Sequence, residues 1–524
     1  MDPAPPSTHD LMARDFGAIA DLIRHHAQRD PRHPALDDGT LALDYGALDA
    51  LMDRIAASLQ RDRIGPGDSI AICAVSSTRY AAVFLGALRA GVAVAPLAPG
   101  STPESLVRMV GDAQARALFV DGANAGSFAT VDAQRVPRIA LDEGAGGLDL
   151  ERWLVPPGQV PAQVEPAPDW PFNIIYSSGT TGEPKGIVQA HAMRWAHVRR
   201  GATYGYGPQG ITLLATPLYS NTTLVVFFPT LAWGGTVLLM GKFDAAGYLR
   251  LAAQRRVTHT MLVPVQYRRL MAQPDFDAHD LASFHLKFST SAPFGAALKA
   301  DVLARWPGGL VEFYGMTEGG GTCILEAHRH PDKLHTVGQP AEGTDLRLID
   351  EAGAEVASGE AGEVVGASLA MMTGYHRQPD RTREAEWFDP TGKRFIRTGD
   401  IGRFDADGFL TLFDRKKDMV ISGGFNIYPS DLEAVLQTHP EVAESAVIAA
   451  PSAQWGETPV AFVVLRPQAQ VDGAALLAWA NARLGKTQRL AALHLAAELP
   501  RSAIGKVLKR ELRDRHLALD PDRD

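Results

Sequence analysis

Residues 174 to 186 read Ile-Ile-Tyr-Ser-Ser-Gly-Thr-Thr-Gly-Glu-Pro-Lys-Gly, a short apolar strand that runs into a loop of hydroxyls and glycines closed by Lys185. That order calls for a strand and loop able to hold a polyphosphate. Gly179 and Gly182 let backbone N–H groups turn toward an anion, Ser177, Ser178, Thr180 and Thr181 add donors, and Lys185 adds a point charge. A Walker loop needs Gly, four residues, then Gly-Lys-Ser/Thr, whereas here Pro184 precedes the lysine and Gly186 follows it. The main support for a kinase or GTPase is therefore missing.

At 524 residues the chain is too long for one ordinary core, so at least two domains are expected. With 46% hydrophobic and 21% charged residues it reads as a soluble globular protein. Lys and Arg number 51 against 60 acidic residues, a net charge of -9 that gives no electrostatic basis for binding nucleic acid. Two cysteines, Cys73 and Cys323, make no disulfide framework and suit a reducing compartment. The first ten residues lack a charged start followed by an apolar run, so no secretory signal is expected and a cytoplasmic location is. The most apolar stretch, Ile211 to Met240, is interrupted by Pro217, Asn221, Pro229 and Gly234-Gly235, which favours a buried strand and helix over a membrane span.

The first part of the chain alternates helical and strand patterns. Helices are predicted near 16–28, 45–60, 79–89 and 104–115, and strands at 69–75, 92–97 and 117–120. Such alternation implies a largely parallel sheet covered on both faces. From Asp121 to Asp169 the composition turns to Gly, Pro and Ala with weak periodicity, which reads as chain wandering over the surface. A run of five charges, Asp414-Arg-Lys-Lys-Asp418, marks a linker. Beyond it Ser430 and Glu433 have the spacing of a capping box, followed by strands at 443–449, 460–465 and 493–496 and helices at 473–483 and 507–515. This last stretch reads as a separate α/β domain, with Lys509 and Arg510 expected in solvent.

Four further blocks follow the loop: Phe313-Tyr-Gly-Met-Thr-Glu318, Arg397-Thr-Gly-Asp400, Asp414-Arg415, and Pro500-Arg-Ser-Ala-Ile-Gly-Lys506. In this order, and across nearly the whole chain, they resemble the adenylate-forming superfamily of acyl-CoA and aryl-CoA ligases, firefly luciferase and peptide-synthetase adenylation domains. Among these the chain looks like a carboxylic acid:CoA ligase. The resemblance implies an α/β fold: a large N-terminal domain, residues 1–416, with doubly wound, largely parallel sheets, and a small mobile C-terminal domain, residues 417–524, turning near Lys417.

The resemblance also implies roles, each chemically sensible for the residue type. The loop and Lys185 hold the β- and γ-phosphates of ATP. Tyr314 lies along the adenine, with Gly315, Met316 and the segment Ser291-Ala292-Pro293 completing the nucleotide site. Thr317 touches phosphate and Glu318 helps hold Mg²⁺, a hard cation that needs few protein oxygens when ATP supplies others. Asp400 can accept from both ribose hydroxyls, and Arg415 offers a fork of donors beside it. Lys506 bridges the substrate carboxylate and the α-phosphate, where a cation lowers the repulsion of two anions. Gly423, in Ser422-Gly-Gly-Phe-Asn426, leaves room for the pantetheine arm of coenzyme A, and Trp455-Gly-Glu457 either borders that channel or packs structurally.

The acid pocket is implied around His191, the Pro217 to Thr223 segment with Tyr219 and Ser220, Phe288 to Ala292, and Gly319 and Gly320. Ser220 departs from the family, where many members have histidine. Gly319-Gly320-Gly321 either leaves room for an aromatic ring or a longer chain, or forms a turn. His328, His330 and His335 lie in a charged loop and read as solvent-exposed, not metal-binding.

The implied reaction has two halves. The acid attacks the α-phosphorus of ATP to give an acyl-AMP and pyrophosphate, and the thiol of coenzyme A then displaces AMP. The expected substrate is an aryl acid, such as a benzoate or cinnamate, or a medium-chain fatty acid. Alternatives are an adenylating enzyme that loads a carrier protein in trans, luciferase-like oxidation, and a nucleotide-binding regulator without catalysis.

Overall fold

The computed structural model describes residues 6–132, 134–177, 184–415, 418–422, 425–452, 455–485, 488–502 and 505–519, with side chains at all of these but 177, 414–415 and 425–426. The chain divides into two compact units, Met1–Asp345 with Gly366–Ile396, and Leu346–Val365 with Arg397–Asp524.

The first unit contains a nine-stranded and an eight-stranded sheet. The central six strands of the nine run parallel, in the order Gly309–Gly315, Leu286–Ser289, His259–Leu262, Ile211–Leu214, Thr236–Leu239 and Pro34–Asp37. In the eight-stranded sheet the order is Gly374–Tyr375, Lys185–Ala190, Pro171–Ser177, Ala93–Pro96, Ser69–Cys73, Ala115–Val120, Arg138–Ala140 and Leu148–Asp149. Ser69–Cys73 is buried at every position, as a parallel strand covered on both faces requires. The expected β-α-β alternation is present, with helices Ile19–Arg29, Tyr45–Arg61, Thr78–Arg89 and Pro103–Asp112.

Two of the helices explain how the sheets are held together. Thr78–Arg89 and Asn221–Ala232 are apolar almost all round, and such helices must be enclosed. They share one buried cluster with Ile70, Ile72 and Phe172 of the eight-stranded sheet and with Leu214, Val237 and Met261 of the other. Phe84, Phe172 and Phe228 form a triangle there, with ring centroids 5.0 to 6.2 Å apart. The apolar stretch Ile211 to Met240 is thus the expected buried strand and helix, followed by a second strand. Among the described residues no helix is long and apolar enough to cross a membrane.

Residues 121 to 169 depart from the expectation of surface chain. They add Arg138–Ala140 and Leu148–Asp149 to the sheet edge, and Phe128, Ile139, Leu150 and Trp153 are buried. Strands this short carry too few residues to show a period of two.

In the second unit, Val442–Ser452 and Gly456–Leu465 form a long antiparallel pair, joined by Val420–Ser422, Phe425–Ile427 and Ala492–Leu495. Alternation separates two cores. Val447, Ala461 and Val463 pack with Leu432, Leu436, Leu476 and Ala480, while Ala446, Ile448, Val460 and Phe462 pack with Leu512. Helices Pro429–Gln437 and Gly473–Asn481 therefore cover one face and Lys509–Leu519 the other.

The capping box at Ser430 is not formed. The helix starts at Pro429, whose missing N–H suits the first helical position, and the N-cap residue Tyr428 gives no side-chain bond. Glu433 instead accepts from the Val447 N–H at 2.7 Å and pairs with Lys509 at 3.1 Å. Lys509 is thereby held against the sheet instead of standing in solvent.

Three buried histidines of the first unit set a pH limit. Burial lowers His26, His191 and His259 to about 4 from 6.5. With a depressed folded pKa, each ring takes up its proton first in the unfolded chain as pH falls below 6.5. Stability is present above 6.5 and is lost toward pH 4, by about 4 kcal/mol per pH unit when all three contribute one proton. Thermal melts at pH 7.0 to 4.5 are expected to show Tm falling steeply below 6.5. His26→Gln, which can keep the donor to the Ala232 carbonyl, should flatten the slope; an unchanged slope contradicts this account.

Candidate active site

The site of the first unit grows from one antiparallel pair. Pro171–Ser177 and Lys185–Ala190 flank the phosphate loop, with Ser177 opposite Lys185 and Tyr176 opposite Gly186. Of the loop residues read from sequence, Ser178, Gly179, Thr180, Thr181 and Gly182 lie outside the described residues, as do Lys417 and Gly423. Gly374–Tyr375 adds a third strand, with Tyr375 opposite Ile187. Its neighbours bind the near end of the loop: the His376 N–H donates to the Gly186 carbonyl at 2.6 Å, and Gln378 Nε2 donates to the Pro184 carbonyl at 3.0 Å.

Tyr375 joins two of the expected site residues. Lys185 Nζ lies 5.3 Å from its ring centroid, and its hydroxyl donates to Glu318 Oε1 at 2.9 Å. Burial, and then the Glu318 carboxylate, push the phenol well above its ordinary value, so it stays protonated and a donor. Sequence reasoning missed Tyr375. Its partner Glu318 is distant in the chain, and an isolated Gly-Tyr gives no local signal of such a contact.

Thr317 and Glu318 follow the strand Gly309–Gly315, in a turn fixed from two sides. Gln189 Nε2 donates to the Thr317 carbonyl at 2.7 Å, and the Met372 N–H donates to the Glu318 carbonyl at 2.7 Å. Tyr314 and Gly315 end the strand, opposite Cys323 and Thr322, and the Met316 carbonyl accepts from the Gly319 N–H at 2.9 Å. The structure thus brings Lys185, Thr317 and Glu318 to one place. Among the described residues no group of three or more His, Cys, Asp or Glu side chains is placed to hold a metal. Glu318 alone, with one oxygen oriented by Tyr375, fits a Mg²⁺ that takes its remaining ligands from phosphate and water.

Gly319 and Gly320 do not leave room. Gly319 has φ +72°, and a Cβ there would lie 1.8 Å from the Ala370 carbonyl oxygen. At Gly320, with φ +87°, it would lie 2.5 Å from the Gly366 oxygen. Both absent side chains are replaced by backbone of the facing segment, which makes the turn a packed one and removes the reading of a vacant space for substrate.

The acid-pocket expectations at Phe288 and Ser220 are likewise revised. Phe288 is fully enclosed, stacked on Phe313 at 5.6 Å with Tyr204, Tyr206 and His259 around it, so it serves as aromatic core. Ser220 is the N-cap of Asn221–Ala232, accepting from the Thr222 N–H at 3.3 Å. Tyr219 beside it is half-buried, its phenol pushed up to about 12 by burial and by Cys73. His191 is buried on the edge of Phe172, its Nε2 without a partner among the described residues, and neutral at pH 7. Ser291, just before Ala292 and Pro293, has φ +81° and bonds Thr222 through their hydroxyls at 2.5 Å. A non-glycine residue held there stores about 1 to 3 kcal/mol of strain, a feature that collects at binding sites.

In the second unit Asp400 and Arg415 are directly opposed on antiparallel strands. The Asp400 N–H donates to Thr398 Oγ1 at 3.0 Å. Lys506 is exposed at the end of a tight turn in which Gly505 has φ +78°. Arg501 braces that turn, donating to the Gly505 carbonyl at 2.7 Å and pairing with Glu444 at 2.7 Å. Trp455 is exposed next to Gly456, which pairs with Ser422, so it does not act as core.

Gly319→Ala is expected to cost at least about 2 kcal/mol, because strain at positive φ adds to a backbone clash. Gly39→Ala is the control, having φ +82° with nothing within 4 Å of the new Cβ. Denaturant unfolding of both variants checks this, and equal losses would mean that the facing backbone is not what excludes a side chain at 319.

Residues 23–376 match the family model described as AMP-binding enzyme, and residues 431–506 match the AMP-binding enzyme C-terminal domain. The chain is 32% identical over 503 residues to a feruloyl-CoA synthase of an Amycolatopsis species, covering 93% of this chain and 97% of that one. It is 31% identical over 510 residues to the fatty acid–[acyl-carrier-protein] ligase ScoC of Streptomyces coeruleorubidus, covering 94% and 95%. The ATP-bound structure of MatB from Rhodopseudomonas palustris superposes with a TM-score of 0.85 at 28% identity, covering 95% of this chain and 99% of that one. With both family models matched in order and full-length relatives at this identity, the chain belongs to the AMP-binding enzyme family and is an adenylate-forming ligase of the acyl-CoA synthetase type.

Proposed function

We propose that the protein activates a carboxylic acid with ATP and transfers the acyl group to coenzyme A. The observation that carries this reading is the convergence of Lys185, Tyr375, Glu318 and Thr317 beside the phosphate loop. A carboxylate does not react with a thiol directly, because oxide is a poor leaving group. In the first half-reaction the acid oxygen attacks the α-phosphorus, pyrophosphate leaves, and a mixed acyl-AMP anhydride forms. Lys185 and the loop hold the leaving pyrophosphate. Mg²⁺ at Glu318 would supply charge neutralisation for the phosphates. Thr317 contacts phosphate, Tyr314 with Gly315, Met316 and residues 291–293 frames the adenine, and Asp400 with Arg415 binds the ribose.

Lys506 serves this first half-reaction by standing between the two anions. Gly423 serves the second, in which the sulfur of coenzyme A attacks the acyl carbon and AMP departs, with Lys417 as the position where the chain turns between the two. The buried thiols Cys73 and Cys323 suit a reducing cytoplasm. The acid is an aryl or medium-chain fatty acid, met by His191 and Tyr219. That one relative is named as a ligase of an acyl-carrier protein favours a second reading, in which the acceptor thiol sits on a carrier protein instead of coenzyme A.

A panel of aryl and fatty acids scored by pyrophosphate release, with and without coenzyme A, tests the reading. Acid-dependent release and a coenzyme A thioester are expected. Release without thioester points to a carrier protein, and no release with any acid rejects the activity. Lys506→Ala should abolish acid-dependent ATP–pyrophosphate exchange, by about 100-fold or more, while thioester formation from supplied acyl-AMP persists. Gly423→Leu should do the reverse; equal loss of both half-reactions in either variant contradicts the division of labour.

A further inference from the structure

Arg194 is 1% exposed, yet no carboxylate pairs with it among the described residues. Its guanidinium is held by neutral amides. Nε and Nη2 donate to Asn173 Oδ1, each at 3.2 Å, and Nη2 also donates to Asn221 Oδ1 at 2.8 Å and to Gln189 Oε1. Phe172 and Phe228 flank it, each centroid 5.8 Å from Cζ, and among the described residues Nη1 has no partner. Burial lowers its pKa to about 9, and the side chain remains a cation at neutral pH. Desolvating an unpaired guanidinium is costly, and three amides and two ring faces offset that cost only in part. As a device for stability alone the arrangement is poor.

What the cation does is orient Gln189. Gln189 and Asn173 are cross-strand partners, both wholly buried. Gln189 Oε1 accepts from Asn173 Nδ2 at 3.0 Å and from Arg194, which leaves Nε2 as the end that faces the Thr317 carbonyl at 2.7 Å and Asn221 Oδ1 at 3.5 Å. A flipped amide would set NH₂ against two donors and the Gln189 oxygen against the Thr317 oxygen. A neutral apolar residue at 194 removes the strongest of the groups that prevent the flip.

We infer that Arg194 is a positioning residue: through Gln189 it fixes the main chain of the Thr317–Glu318 turn, and with it the affinity of the site for MgATP. The inference rests on the reading of that turn as the phosphate and Mg²⁺ side of the site. Neither Arg194 nor Gln189 is a residue that the sequence motifs single out.

A double-mutant cycle on the full chain tests it, with MgATP affinity measured by isothermal titration and turnover by acid-dependent pyrophosphate release. Gln189→Met and Arg194→Met are each expected to raise the MgATP Kd about tenfold, and the double variant to match Gln189→Met within about twofold, because both act through one contact. Arg194→Met should keep or raise Tm, since it removes an unpaired buried charge. A role in folding alone would lower the fraction of competent protein without moving Kd. Unchanged Kd in the single variants, or a double variant weakened about a hundredfold, overturns the inference. Where Arg194→Met does not fold, Arg194→Lys, which keeps the charge and three donors, should bind MgATP within about threefold of wild type. A tenfold loss there rejects orientation by charge. Wild type that binds MgATP yet releases no pyrophosphate with any acid removes the proposed function and leaves the cycle readable; wild type that binds no MgATP overturns the inference.

Discussion

The register between Pro171–Ser177 and Lys185–Ala190 is the constraint on which the site of the first unit depends. Side chains alternate along a strand, so Lys185, Ile187 and Gln189 share a face, and Tyr375 joins them as the partner of Ile187. A slip of one residue would turn Lys185 and Gln189 to the opposite face and separate the lysine from the carboxylate that Tyr375 orients. The helix His191–Arg199 starts where the second strand ends, so the same register also places His191 and Arg194. Lysine, amide, imidazole and guanidinium thus take their positions from one hairpin.

Much of this was legible in the sequence, and the reason differs from region to region. Long apolar runs and helical periods located Thr78–Arg89, Ser69–Cys73 and the buried stretch from Ile211, because burial on both sides leaves few polar positions. Short edge strands such as Arg138–Ala140 left no such trace. The motif blocks singled out Lys185, Glu318, Asp400 and Lys506 as candidates, since a phosphate or a ribose would need particular donors and acceptors. Tyr375, Gln189 and Arg194 escaped because their meaning lies in contacts with segments far off in the chain. A signal for part of this was present all the same: Asn173 interrupts Phe-Asn-Ile-Ile, and Gln189 interrupts Ile-Val-Gln-Ala. An amide in the middle of a buried strand must have a partner, and two on adjoining strands suggest each other.

Where sequence reasoning went astray, it assigned to substrate what the fold uses for itself. Phe288 stacks within an aromatic core, Ser220 caps the start of a helix, and Gly319 and Gly320 meet main chain. Each of these residue types also suits a pocket, so composition alone does not separate the uses. Exposure and partners do. By the same measure Ser291 gains interest, because it holds an unfavourable backbone conformation with a hydroxyl partner on a neighbouring helix.

The meeting of Gly319 and Gly320 with the backbone of Gly366 and Ala370 has a consequence for how such an enzyme diversifies. A wall made of two main chains in contact has no side chain that a single codon change can enlarge or trim. Both segments would have to shift together, and the shift would carry Glu318 with it. Mutational drift can therefore change side chains such as Tyr219 and Thr222 one at a time, while the turn that carries Thr317 and Glu318 is passed on as one indivisible piece.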